Sequence, residues 1–118
     1  MIIDFALTSN LDNFAHCCIC GKENDVFASL QYRCYDCKVY IEVREDNKVS
    51  QIWIGWDIDV DRAAVYYSKL VIQPFFLTIT KDYIVVFSFG DEVKRLPTPE
   101  TIDIKKLYNN VDTYKLLI

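Results

Sequence analysis

Cys17-Cys18-Ile19-Cys20-Gly21, followed by Cys34-Tyr35-Asp36-Cys37, sets two C-x-x-C pairs around a spacer rich in strand-forming residues. Two cysteines with two residues between them bend round one ion on a tight turn. Each pair then supplies two thiolates, and the two pairs complete a tetrahedron. Zinc suits that geometry, and the expected ligands are Cys17, Cys20, Cys34 and Cys37. Four thiolates close the coordination sphere and leave no open position for water, so the site is expected to be structural rather than catalytic. Backbone N–H groups after a cysteine can point at its sulfur, and a residue tolerant of left-handed angles helps the chain leave the turn. Gly21 holds that exit in the first pair, whereas Lys38 holds it in the second and predicts a slightly different or more strained exit.

The spacing and the Cys20-Gly21 step resemble the zinc ribbon class, in which two such knuckles face each other across a β-hairpin. The resemblance covers Cys17 to about Tyr40 and implies a metal without implying an activity. Cys18 stands where that class often carries proline, so His16 or Cys18 remains an alternative to Cys17 as ligand. Met1-Ile2-Ile3-Asp4 lacks a basic leader region and a cleavage site. That favours a cytoplasmic, reducing setting, and zinc over disulfides.

Working outward, the polar Lys22-Glu23-Asn24-Asp25 precedes Val26 to Tyr32, expected as a strand that delivers Cys34 beside Cys20. On the N-terminal side Ile3, Leu7, Leu11 and Phe14 recur at helical spacing. They predict a short amphipathic helix, with a shorter helix capped by Ser9 or Asn10 after an extended Ile2–Leu7 as the alternative. Beyond Cys37, Val39, Ile41 and Val43 alternate with Tyr40, Glu42 and Arg44, the pattern of a half-buried strand. Glu45-Asp46-Asn47-Lys48 predicts a hairpin turn into a strand from Val49 to Asp57. On it Ile52, Ile54 and Trp56 should share one face and Val49, Trp53 and Gly55 the other. A strand apolar on both faces is either central or part of a contact surface, so Trp53 and Trp56 are a candidate interaction surface.

Further strands are expected at Arg62–Ser68, at Val71–Thr80 with a break at Pro74, and from Tyr83 to Phe89, ended by Gly90-Asp91. The neighbouring rings of Tyr66-Tyr67 and Phe75-Phe76 suit core and cross-strand packing. Leu96-Pro97-Thr98-Pro99 forms a rigid connection, after which Asp103 caps a helix carrying Ile104, Leu107, Tyr108 and Val111 as one stripe. Thr113–Ile118 is expected as a last strand or docked tail. The resulting fold class is α+β. One domain, 1–118, comprises a zinc ribbon (14–40) continuous with an antiparallel meander (41–90), followed by a helix and tail (97–118).

Charge narrows the function. From Met1 to Asn47 there are four Lys or Arg against eight Asp or Glu, while the remainder is balanced at nine each. A tetrathiolate zinc adds about two negative charges to the acidic half, an arrangement that repels phosphate backbones. Nucleic-acid binding through Lys22, Arg33, Tyr35 and Lys38 is therefore the weaker alternative to a protein partner or a homodimer. Asp57, Asp59 and Asp61 fail as a calcium loop because Arg62 and Ser68 stand where glycine and glutamate are needed. In an extended chain they line one side, which leaves a magnesium-dependent enzyme as a second alternative. His16 is the only histidine, and phosphate-binding and H-E-x-x-H motifs are lacking; the expectation is a non-enzyme. The apolar neighbourhood from Ala63 to Thr80 is interrupted by Lys69, Gln73 and Pro74, so no membrane span is expected. In layout the whole chain resembles small uncharacterised proteins of tailed phages, which implies a role within an infected cell, in the host cytoplasm.

Overall fold

A computed structural model describes residues 1–27, 30–56 and 74–117. In chain order the elements are β1 (Ile2–Asp4), a 3-10 turn (Leu11–Phe14), β2 (Asp25–Phe27), β3 (Gln31–Cys34), β4 (Val39–Val43) and β5 (Val49–Ile54). There follow β6 (Phe76–Ile79), β7 (Tyr83–Ser88), β8 (Asp91–Pro97), β9 (Thr101–Asp103), α1 (Ile104–Asn109) and α2 (Val111–Lys115). Strands β2 to β8 form one antiparallel sheet in simple sequence order, and β1 pairs with β9 in a separate two-stranded sheet. The molecule is thus mostly antiparallel β with short helices at the C-terminal end.

One face of the large sheet carries the core. Val39, Ile41 and Val43 from β4, Ile52 and Ile54 from β5, Leu77 and Ile79 from β6, and Ile84 and Val86 from β7 are all buried. Ile3, Phe5, Phe14, Ile102, Ile104 and Leu107 join them from outside the sheet. Removing such a side chain from water contributes about 1.5–3 kcal/mol. Val49 joins this face against expectation. Val43 pairs with Val49 and Glu42 with Gln51, so Ser50 is an extra residue that inverts the alternation. The Ser50 hydroxyl donates to the Glu42 carboxylate at 3.0 Å.

The opposite face carries a ladder of rings, which accounts for a β5 that is apolar on both sides. Tyr40 stacks on Trp53 (centroids 5.2 Å apart), Trp53 on Phe76 (5.7 Å) and Phe76 on Phe87 (4.6 Å, planes within 2°). The Arg33 guanidinium sits 5.1 Å from the Tyr40 centroid and extends the ladder. Gly55, at φ +88°, turns the chain after Ile54. Trp56 is thereby carried away from the Ile52 and Ile54 face and meets Phe76 edge-on at 4.4 Å.

Several expectations are corrected. The amphipathic helix through Ile3 and Leu7 does not form: Ile3 is a strand residue of the core, and Leu7 is 62% exposed. Asp4 accepts from the Ala6 N–H to turn the chain, and Asn10 caps the 3-10 turn through the Asp12 N–H. Only the shorter, Asn10-capped alternative is realised, with Ile2–Asp4 extended. Val26 to Tyr32 is two strands, β2 and β3, paired Asp25 to Arg33 through Phe27 to Gln31. The strand from Tyr83 does end ahead of Gly90, but it is not the final one: β8 follows from Asp91, and Leu96-Pro97, expected as a connection, closes it. As an edge strand β8 accommodates a proline, which has no N–H to donate. Residues 113–115 belong to α2, and Leu116 is 85% exposed, so no last strand forms among the described residues. Arg62–Ser68, Tyr66-Tyr67 and the carboxylates Asp57, Asp59 and Asp61 lie outside the described residues.

Candidate metal centre

The first knuckle is held by its own backbone. The Cys17 N–H donates to the Lys22 carbonyl at 2.8 Å and the Gly21 N–H to the Cys17 carbonyl at 2.9 Å, while Gly21 takes φ +77°. Asn24 ties this loop to the 3-10 turn: its N–H donates to Ala15 O and its Nδ2 to Phe14 O, each at 2.8 Å. The second knuckle follows β3 directly and leaves through Lys38, which adopts φ +57°. A non-glycine residue there carries the strain that its sequence position implies. Its carbonyl is held by the Gly55 N–H at 2.7 Å.

These two turns bring Cys17, Cys20, Cys34 and Cys37 together, with all four sulfurs within 4.8 Å of one another. Cys20 Sγ and Cys34 Sγ are 3.7 Å apart, close to the separation of about 3.8 Å that tetrahedral Zn–S bonds demand. The donor set therefore fits zinc. His16 is exposed, its backbone bridging to Glu23, and is not in the cluster. Cys18 is half-buried against the core, an apolar filler where ribbons often carry proline. All five cysteines are free thiols.

The surroundings stabilise thiolates unevenly. Ile19 N–H donates to Cys17 Sγ at 3.4 Å. The Lys22 N–H is the largest influence on Cys20 and draws that thiol down to about 7. Cys34 and Cys37 are pushed up, in both cases chiefly by burial, although the Cys37 N–H acts in the opposite sense on Cys34. Burial, with Cys17 next in importance, also raises Cys18. The cluster thus holds protons that a bound cation would displace. Lys22 forms an exposed ion pair with Asp36, joining the first knuckle to the second.

Tyr108 is a contributor that the sequence pattern places only as an apolar residue of α1. Burial, followed by the Cys37 charge, raises the pKa of its hydroxyl. The C-terminal helix thereby lies near the metal centre. Nothing in the spacing of Ile104, Leu107 and Tyr108 signals that proximity.

Trp53 and Trp56 are both half-buried in the ring ladder, and Trp53 Nε1 donates to Gln51 at 2.9 Å. Of the residues considered for a nucleic-acid strand, Lys22 pairs with Asp36 and Tyr35 donates to Asp25 at 2.6 Å. Arg33 donates to Gln31 at 2.7 Å. Among the described residues no helix is long and apolar enough to cross a membrane. No family model, curated protein or solved structure matches the chain. The ribbon resemblance rests on the cysteines and their geometry, and the phage-protein resemblance gains no relative.

Proposed function

We propose that this chain is a small zinc-binding protein whose four-cysteine site is structural and which acts as a protein-interaction module. The observation that carries this reading is the convergence of Cys17, Cys20, Cys34 and Cys37 on one point from two tight turns. A zinc ion there supplies cross-linking in place of a larger core. Four thiolates leave it no position for substrate. The knuckles flank the β2–β3 hairpin and sit against core residues, so the ion fixes one end of the sheet on which the ring ladder is displayed. Trp53 and Trp56, partly exposed beside that ladder, are the proposed contact residues, because aromatic side chains dominate the energetics of protein contacts. Engagement of Lys22, Arg33 and Tyr35 within the chain supports a protein partner over a nucleic acid.

A native mass spectrum of the purified protein tests the reading. One zinc per chain with five reduced thiols supports it, and retention of zinc by C18S and H16A assigns the ligands. A zinc-free mass lowered by about four hydrogens, the signature of two disulfides, overturns it. For the contact residues, W53A and W56A should lose the partner complex and keep the zinc.

A further inference from the structure

Phe89 and Gly90 form the two-residue turn between β7 and β8, with φ +49° and +85°. Such a turn favours Asn, Asp or Gly at its first position. A phenylalanine there is held in the left-handed region, and the residue is 64% exposed. Among the described residues no ring contact holds it; its N–H donates to Pro74 O at 3.4 Å. Backbone strain and solvent exposure both disfavour this residue, and among the described residues nothing relieves either. Strained positions of this kind point to a role outside the fold. Asp91 and Glu92 follow directly, giving the tip an apolar knob with an acidic flank, although Glu92 also pairs with Arg95 at 2.6 Å.

A second surface complements it. A groove of about 550 Å³ runs beside β1, β9 and the two helices, lined by Ile2, Pro99, Ile102, Leu107 and Tyr114 with Lys106 at its edge. Ile2 is 69% exposed there. An adjoining hollow adds Lys105. Asp103 also faces the groove, with its carboxylate engaged by the Lys106 N–H at 3.2 Å.

We propose that the Phe89 tip of one copy docks in the β9 and α1 groove of a second copy, with Asp91 and Glu92 set against Lys105 and Lys106. The proposal rests on the interaction-module reading and names the partner as the chain itself. Knob and groove are different surfaces, so the contact is head-to-tail. It is also small, which places it among weak, concentration-dependent interfaces. The acidic flank disfavours the alternative occupant for an exposed phenyl, an anionic lipid surface.

Sedimentation velocity of the zinc-loaded full chain tests this over roughly 10–500 µM, the range for a weak interface. Association should rise with concentration and weaken in high salt. F89N, in which asparagine suits the left-handed turn, should bind at least about tenfold more weakly with no loss of thermal stability. D91K and K106E should each weaken association, and the double variant should recover it. A wild-type chain that stays monomeric throughout, or association unchanged in F89N, overturns the proposal. So does a monomer that binds anionic phosphatidylserine vesicles through Phe89. Association kept in F89N and lost in W53A overturns it while preserving the module reading; loss of zinc from the native mass fails the metal reading instead.

Discussion

Loading the reduced, metal-free chain with Zn²⁺ should expel at least about 2.5 protons per ion at pH 7. Cys20, drawn down to about 7 by the Lys22 N–H, is about half ionised there. Cys34 and Cys37 hold their protons because burial pushes both thiols up. One proton from each of those two and about half from Cys20 set that figure. The four thiols share one site, so the number belongs to the cluster and not to any single residue. Binding releases the protons, so affinity rises with pH and falls as pH drops. A release of 2.5 corresponds to about a 300-fold change per pH unit near neutrality. Calorimetry at fixed pH in two buffers of different ionisation enthalpy counts the protons directly, and a chelator competition series from about pH 6 to pH 8 gives the slope. C18S should leave the count unchanged. A count at or below one proton, or an affinity that barely moves with pH, would refute a four-thiolate site.

G55A should destabilise the fold by about 1–2 kcal/mol for its left-handed backbone, and by more because the new Cβ would stand 3.2 Å from the Phe75 carbonyl oxygen. Urea denaturation of the zinc-loaded protein measures this. G21A, at φ +77° with nothing within 4 Å, should show the backbone part alone, and equal losses in the two variants would count against the steric part. D103A removes the cap that accepts the Lys106 N–H and should cost about 1 kcal/mol, with D103N close to wild type in the same assay.

The parts of the fold that were legible are those written in local chemistry. Two C-x-x-C pairs announce a common ligand site because the turn that serves an ion is only four residues long. Val39, Ile41 and Val43 announce a strand because one side of it meets the core. Glu45-Asp46-Asn47-Lys48 announces a turn, and Asn47 duly takes φ +61°. What escaped depends on a partner distant in sequence. The extra residue Ser50 is defined only by how β4 meets β5. Strand β8 carries Asp91, Glu92, Lys94 and Arg95 on an exposed sheet edge, so no apolar alternation marks it. β1 and β9 are three residues each and stabilise only one another and the core beneath. At the metal centre, the ligand positions followed from spacing, whereas the nearness of Tyr108 to Cys37 exists only because α1 packs where it does.

The order of the large sheet has a bearing on how the chain reaches its native state. Every strand from β2 to β8 pairs with its neighbours in sequence, so the sheet can grow by successive pairings, all but one of which close a short loop at modest entropic cost. The longest such step joins Ile54 of β5 to Leu77 of β6. The pairing of Ile3 with Ile102 is of another kind, since it brings nearly the whole chain into one closure. That clasp gains little until Ile3, Ile102 and Ile104 have a formed core to cover. Its natural place is late in folding, with the Met1 carbonyl accepting the Ile104 N–H at 3.0 Å as the two ends meet. Substitutions in β1 and β9 should therefore act mainly on the unfolding rate and leave the folding rate nearly unchanged.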